Sequence, residues 1–186
     1  ALEKGITPST IVYDTPLFFS ADQTGGKAWE PKNYDGKFEG PMPVRTALAK
    51  SKNMVSIRIL QAVGAHSAQE WVSHFGFEAE KHPPYLTMAL GAGAVTPLQM
   101  ASAYSVFANG GHLLPPILIT KVTDDQGRVL LEPQMPQKND STQAISERNA
   151  FLMSNLLQEI TRSGTAARAQ ATLKRQDLFG KTGTTN

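Results

Sequence analysis

The sequence predicts an α+β fold in which helix outweighs strand. Three features carry that expectation. Apolar residues recur at helical spacing between Val44 and Val63, and again from Met153 to Ile160. Two apolar runs flank Asp124-Asp125-Gln126-Gly127, the pattern of a β-hairpin. The stretch from Leu178 to Thr185 is apolar and threonine-rich, the composition of a strand.

Taken in order, Ala1-Leu2-Glu3-Lys4-Gly5 reads as the last turn of a helix. Lys4 suits the negative end of the helix dipole and Gly5 supplies a left-handed stop. The residues before Pro41 are loop-rich, with turns at Thr24-Gly25-Gly26 and Tyr34-Asp35-Gly36. Pro43 is placed as the first residue of a helix through Val44, Leu48 and Ala49, broken around Ser51. The next helix carries Val55, Ile59 and Val63 on one stripe and stops at Gly64. Ser67-Ala-Gln-Glu70 has the capping-box pattern and is expected to open a short helix that closes at Gly76. Thr96-Pro97 opens another, which ends at Asn109-Gly110-Gly111. The hairpin follows, then a polar, proline-containing loop from Pro133 to Thr142. Ser146 caps the helix of Met153, Leu156, Leu157 and Ile160, which Gly164 ends.

Composition narrows the function classes. The 186 residues are 40% hydrophobic, enough for one domain with a sizeable core. A net charge of +2 gives no pull toward nucleic acid. With no cysteine, disulfide frameworks and thiolate metal sites are excluded, and the redox compartment stays open. His66, His74, His82 and His112 show no metal-ligand spacing, so no metal site and no cofactor are expected. No apolar run approaches the roughly 20 residues of a membrane span. Any anchoring or targeting segment is expected outside these residues, and the chain reads as part of one domain, residues 1–186, severed at both ends.

Two short strings carry candidate chemistry. In Lys181-Thr182-Gly183-Thr184, strand alternation sends Lys181 one way and the threonines the other. Lys181 is a point charge able to lower a neighbour's pKa or pass a proton. The hydroxyls of Thr182 and Thr184 suit a carboxylate, and Gly183 suits a close approach to the backbone. An ordinary edge strand with a surface lysine fits the same string. In Ser51-Lys52-Asn53, an extended backbone puts the Ser51 hydroxyl and the Asn53 amide on one side and Lys52 on the other. Alternatively, Ser51 or Asn53 caps the helix that begins near Met54.

Together the strings resemble a known set. Ser-x-x-Lys with Ser-Asp-Asn and Lys-Thr-Gly marks penicillin-binding proteins and class A β-lactamases. Here Ser51-Lys52-Asn53 precedes Lys181-Thr182-Gly183 in the right order. The surroundings, "FEGPMPVRTALAKSKNMVSIRIL", "LTMALGAGAVTPLQMASAYSVFANGGH" and "SGTAARAQATLKRQDLFGKTGTTN", resemble the transpeptidase domain of bifunctional class A penicillin-binding proteins. The resemblance implies the penicillin-binding-protein/serine β-lactamase-like fold, with helices packed on an antiparallel sheet, incomplete at both ends.

It also implies a D,D-transpeptidase. A serine attacks the D-Ala-D-Ala carbonyl of a peptidoglycan stem peptide, D-alanine leaves, and a neighbouring amine completes the cross-link. On this resemblance Ser51 and Lys181 are catalytic: Ser51 passes a proton to the leaving amine and Lys181 holds its hydrogen bond. Asn53, Thr182, Gly183 and Thr184 bind substrate, the threonines through its carboxylate. The implied partners are the D-Ala-D-Ala stem peptide and β-lactams, on the periplasmic side of the cytoplasmic membrane. A glycosyltransferase domain and an anchor are implied elsewhere in such a protein. No serine in this chain has a lysine three positions on, and Thr24-Gly25-Gly26-Lys27 matches only in spacing. The nucleophile is therefore expected upstream of Ala1, and the chain alone is expected to be inactive. A D,D-carboxypeptidase, a β-lactam sensor and a non-catalytic module of the same fold are the alternatives. A β-lactamase is disfavoured because Glu-x-x-Leu-Asn does not occur between Asn53 and Lys181.

Overall fold

The computed structural model describes residues 1–24 and 26–183. Its first strand lies in the segment read as loop. Ile11–Asp14 (β1) pairs antiparallel with Gly40–Pro43 (β2), Ile11 opposite Pro43 and Asp14 opposite Gly40. Proline has no N–H, so Pro41 and Pro43 must fall on the pairs that exchange no ladder bond. The ladder then runs through Met42 and Gly40 and continues as Val44 N–H to Thr10 C=O, 2.9 Å. Between the strands lies a single helical turn, Ala21–Thr24 (α1), and a turn closed by Gly36 N–H to Asn33 C=O.

Pro43 is the last residue of β2 and the N-cap of Val44–Ala49 (α2), one position earlier in the helix than expected. Lys50 and Ser51 break the chain direction, and Asn53–Val63 (α3) follows. The buried face of α3 is Met54, Val55, Ile57 and Leu60, whereas Ile59 and Val63 are only half-buried. The difference arises because α3 packs on two sides, against the β1–β2 ribbon and against the 3-10 turn Leu86–Leu90. Met54 and Ile57 join Phe19 on one side, with Trp29 stacked on Phe19 at 5.3 Å. Val55 joins Met42 and Ala47 on the other. Trp29 is thus a loop anchor, while Tyr34 is exposed.

The expected capping box at Ser67 does not form. Gly64, with φ 90°, ends α3 and is at once the N-cap of Ala65–Val72 (α4), so Ser67 lies inside that helix. Its first turn closes by Ala68 N–H to Gly64 C=O, 3.0 Å, leaving Ser67 no helix start to cap. Gly76, φ 81°, stops the following 3-10 turn as expected. Pro97–Ala108 (α5) carries the capping box that Thr96 promises: the Thr96 hydroxyl accepts from Gln99 N–H and the Gln99 amide oxygen accepts from Thr96 N–H. The hairpin is present as Val122–Thr123 (β3) and Val129–Leu131 (β4), shorter than the apolar runs suggest. Asp124 accepts from the N–H groups of Gln126 and Arg128, an Asx turn.

Glu147–Arg162 (α6) is capped by Ser146, whose hydroxyl accepts from Asn149 N–H. Ala150, Leu156, Leu157 and Ile160 are buried, the first in a cluster with Val106, Ala144 and Ile145. Ala167–Leu173 (α7) follows after Gly164. Among the described residues the architecture is α+β: α2 and α3 pack on the antiparallel β1–β2 ribbon, and a second two-stranded antiparallel ribbon, β3–β4, is exposed. Among the described residues no helix is long and apolar enough to cross a membrane.

The strand expected from Leu178 is not formed over residues 178–183. A strand needs an edge to pair with, and here the backbone docks on a helix instead. The buried Thr161 hydroxyl of α6 donates to Leu178 C=O at 2.7 Å, and Gly180 N–H points to Leu157 C=O at 3.5 Å. Thr185 lies outside the described residues.

Candidate active site

Helix α6 carries the final segment to the break between α2 and α3. There Lys181 Nζ donates to Ser51 Oγ at 2.7 Å, across 130 residues of sequence. The same ammonium donates to Thr182 C=O at 2.9 Å and lies 3.5 Å from Thr182 Oγ1. Lys181 is half-buried, and burial pushes its pKa below the ordinary lysine value. A lysine with a lowered pKa beside a hydroxyl is equipped to orient it and to follow its proton. The expected alternation is not kept: the flexible lysine stem curls back so that its head meets Thr182.

Ser51 is held in an unusual conformation. Its φ is 56°, the left-handed region that costs a non-glycine residue roughly 1–2 kcal/mol. Something must hold it there. On its N-terminal side, Ser51 N–H donates to Leu48 C=O and Lys52 N–H to Ala47 C=O, closing the end of α2. On its C-terminal side, α3 begins without a cap from Ser51, Lys52 or Asn53. Asn33 does the capping from the preceding loop: its Oδ1 accepts from Asn53 N–H at 2.9 Å and Met54 N–H at 3.4 Å. Its Nδ2 donates to Asp14 and to Lys37 C=O, both at 2.7 Å.

Between Ser51 and Asn53, Lys52 turns into a charged pocket; the three residues are not the extended stretch considered from sequence, since Ser51 is left-handed and Asn53 is helical. Its side chain is 2% exposed and meets Glu39 at 2.9 Å, Asp35 at 3.1 Å and Asp14 at 3.5 Å. Asp14 is fully buried at the end of β1 and accepts from Asn33 and from Glu39 N–H. Burial alone would lower the Lys52 pKa, but the hydrogen bonds to Glu39 and Asp35 and the charge of Asp14 outweigh it and raise it. Asp35 and Glu39 are lowered, first by the hydrogen bonds they accept, from Lys37 N–H and Lys50 respectively, and then by Lys52. Asp14 at the end of β1, with Asp35 and Glu39 from the segment leading into β2, thus supplies the anions that pin the centre of Ser51-Lys52-Asn53.

A third strut comes from the end of α6. A Cβ on Gly164 would lie 2.3 Å from Ala49 C=O, so the two backbones meet only because residue 164 is glycine. The next residue, Thr165, donates its N–H to the same carbonyl at 3.0 Å. Its hydroxyl lies 2.7 Å from Thr182 Oγ1.

Of the residues singled out from sequence, Ser51, Lys181 and Thr182 are brought together. Asn53 begins α3 two residues from Ser51, and its Nδ2 donates to Lys32 C=O at 2.8 Å, with no hydrogen bond to Lys181 or Thr182 among the described residues. Gly183 is exposed and no atom of the described chain lies within 4 Å of where its Cβ would sit. Thr184 lies outside the described residues. Sequence reasoning missed Asp14, Asn33 and Thr165. Thr165 had a signal in its Gly164 neighbour; Asp14 and Asn33, being reached only through folding, had none.

The site is thus an α+β frame that presents a serine hydroxyl to a partly desolvated lysine, with two threonine hydroxyls alongside. Residues 1–186 match the family described as "Penicillin binding protein transpeptidase domain", and the chain belongs to that family. It is 48% identical to the penicillin-binding protein 1A of Neisseria flavescens, over 100% of this chain and 23% of that protein. The chain therefore spans about a quarter of the length of such relatives. The crystal structure of penicillin-binding protein 1A from Haemophilus influenzae superposes with a TM-score of 0.88 at 34% identity, covering 100% of this chain and 32% of that one. The D,D-transpeptidase domain of a peptidoglycan glycosyltransferase from Eggerthella lenta shares the fold, with a TM-score of 0.71 at 20% identity over 91% of this chain and 47% of its own. The kinship with class A transpeptidase domains expected from the three stretches holds.

Proposed function

We propose that this chain forms part of a serine-type D,D-transpeptidase that cross-links peptidoglycan stem peptides and is acylated by β-lactams. The observation that carries the reading is the 2.7 Å hydrogen bond from Lys181 to Ser51, which joins the second and third motifs of the family. These 186 residues contain no Ser-x-x-Lys, so the nucleophile is assigned to sequence preceding Ala1. Its Oγ forms a bond to the penultimate D-alanine carbonyl as the amide C–N bond breaks. The departing D-alanine nitrogen takes a proton through Ser51. The acceptor amine then attacks the ester, restoring the serine.

The geometry suits these parts. Because Lys181 donates to Ser51 Oγ, the hydroxyl proton of Ser51 is free for the leaving amine. The nearby ammonium favours the alkoxide character that develops as that proton moves. Asn53 uses one Nδ2 proton on Lys32 C=O, which leaves its other proton and its Oδ1 for a donor-peptide amide. Thr182, Gly183 and Thr184 are assigned to the substrate carboxylate and the approaching peptide backbone. The site is placed on the periplasmic side of the cytoplasmic membrane, where stem peptides are found.

The test is product analysis with a lipid-linked stem pentapeptide and the full-length protein. Cross-linked dimer with equimolar D-alanine supports the transpeptidase. D-Alanine release with tetrapeptide alone would mean a carboxypeptidase. Stable acylation by penicillin without any peptide turnover would mean a sensor.

A further inference from the structure

Two threonine hydroxyls 2.7 Å apart share one hydrogen bond, so one of the two protons is spent inside the pair. Which hydroxyl keeps its proton decides whether the pair can hold an anion. Thr182 Oγ1 already faces the Lys181 ammonium at 3.5 Å, a donor with no accepting capacity. Thr182 is therefore an acceptor on that side, and Thr165 has no other side-chain hydrogen bond among the described residues. Either hydroxyl can donate across the pair; with Thr165 as the donor, Thr182 accepts from both neighbours and its own proton is left to point outward. Such a chain polarises each bond along it, strengthening the terminal donor.

We infer that Thr165 is a positioning residue for carboxylate recognition: its hydroxyl fixes the Thr182 proton toward a substrate carboxylate. The inference rests on the acyl-enzyme reading above and extends it to a residue outside the three motifs. The junction that delivers Thr165 is built for close tolerance. Gly164 lets α6 touch the last carbonyl of α2, and Thr165 N–H locks onto that carbonyl at 3.0 Å. The same end of α2 leads directly into Ser51, so one contact sets the distance between the Ser51 hydroxyl and the threonine pair. Thr165 is exposed, so its hydroxyl has no burial role in the core.

The test compares two probes that differ only in the anion, benzylpenicillin and its methyl ester, as second-order acylation rates of the full-length protein. Thr165→Val keeps the shape and removes the hydroxyl. It should slow benzylpenicillin about tenfold and the ester less than about twofold, since a hydrogen bond to a charged group is lost only with the acid. Thr165→Ser should recover most of the loss, and in a Thr182→Val background Thr165→Val should cost nothing further. Equal slowing with both probes, or no slowing with either, would overturn the inference, because a structural defect does not discriminate by ligand charge. If the folded wild-type protein is acylated by neither probe, the acyl-enzyme reading fails first and the inference falls with it.

Discussion

Replacing Lys52 by methionine removes the cation at the centre of the Ser51-Lys52-Asn53 turn and keeps most of its volume. The cost depends on what happens to its three anions. Asp35 and Glu39 have side chains 49% and 37% exposed and can return to water. Asp14 cannot, since its side chain is 0% exposed. Breaking a buried pair by deleting one partner costs roughly 3–5 kcal/mol. Asp14 retains hydrogen bonds from Asn33 and from Glu39 N–H, which places the expectation at the lower end, about 3 kcal/mol. With a urea m-value of roughly 2 kcal/mol/M, the midpoint should fall by about 1.5 M with little change in slope. Trp29, stacked on Phe19 beside α3, is a natural fluorescence reporter. Asp14→Asn combined with Lys52→Met removes the stranded charge and should recover part of the loss, a non-additivity diagnostic of direct contact. A single-variant cost below about 1 kcal/mol, the range of surface pairs, would refute the reasoning. So would a double variant as unstable as the sum of the singles.

Further outcomes follow from the same contacts. Gly164→Ala places a methyl 2.3 Å from a carbonyl oxygen and 3.0 Å from Cα of Ala49, neither of which can rotate away. It should destabilise by about 1–3 kcal/mol, read as a lower melting temperature, and slow acylation as Thr165 is displaced; an unchanged melt would show that α2 and α6 can part freely. Lys181 is charged below its folded pKa, which burial sets under the ordinary 10.5. Acylation by anionic β-lactams should therefore decline as pH rises through that lowered value. Lys181→Arg, charged throughout, should move the alkaline limb upward, and an unmoved limb would assign it to another group. Asp35 and Glu39 have lowered pKa values, so their contribution to stability is present above the ordinary carboxylate range and lost as pH falls through the lowered values. Lys52, raised, contributes below its ordinary value and fails only at strongly alkaline pH. The urea midpoint should fall on the acid side in the wild type and less so in Lys52→Met; parallel acid profiles would remove Lys52 from the account.

Local rules were legible wherever the chain decides for itself. The Thr96 and Ser146 caps, the stops at Gly5 and Gly76 and the Asp124 turn all depend on residues within four positions. Non-local choices were not. The β1–β2 ribbon pairs residues that lie on either side of a loop-rich segment, and two prolines disguise one of its strands. Asn33 caps a helix 20 residues away, so no capping signal near Met54 could reveal it. Ser67 carries a capping pattern that a helix starting at Gly64 overrides. Leu178 to Gly183 has strand composition but lies against α6, showing that composition proposes a strand and a partner edge decides. For the site, the contact of Ser51 with Lys181 followed from the order of two motifs and a family resemblance. Helical spacing or charge alone pointed to neither.

The central claim is that this chain supplies the second and third motifs of a penicillin-acylated serine enzyme whose nucleophile lies elsewhere in the polypeptide. Intact-mass spectrometry of the full-length protein with benzylpenicillin, followed by peptide mapping, tests it most directly. The account predicts one adduct, on a serine of a Ser-x-x-Lys sequence preceding Ala1, formed much more slowly in Ser51→Ala and Lys181→Ala. An adduct on Ser51 itself, or none on a protein shown to be folded, would contradict it.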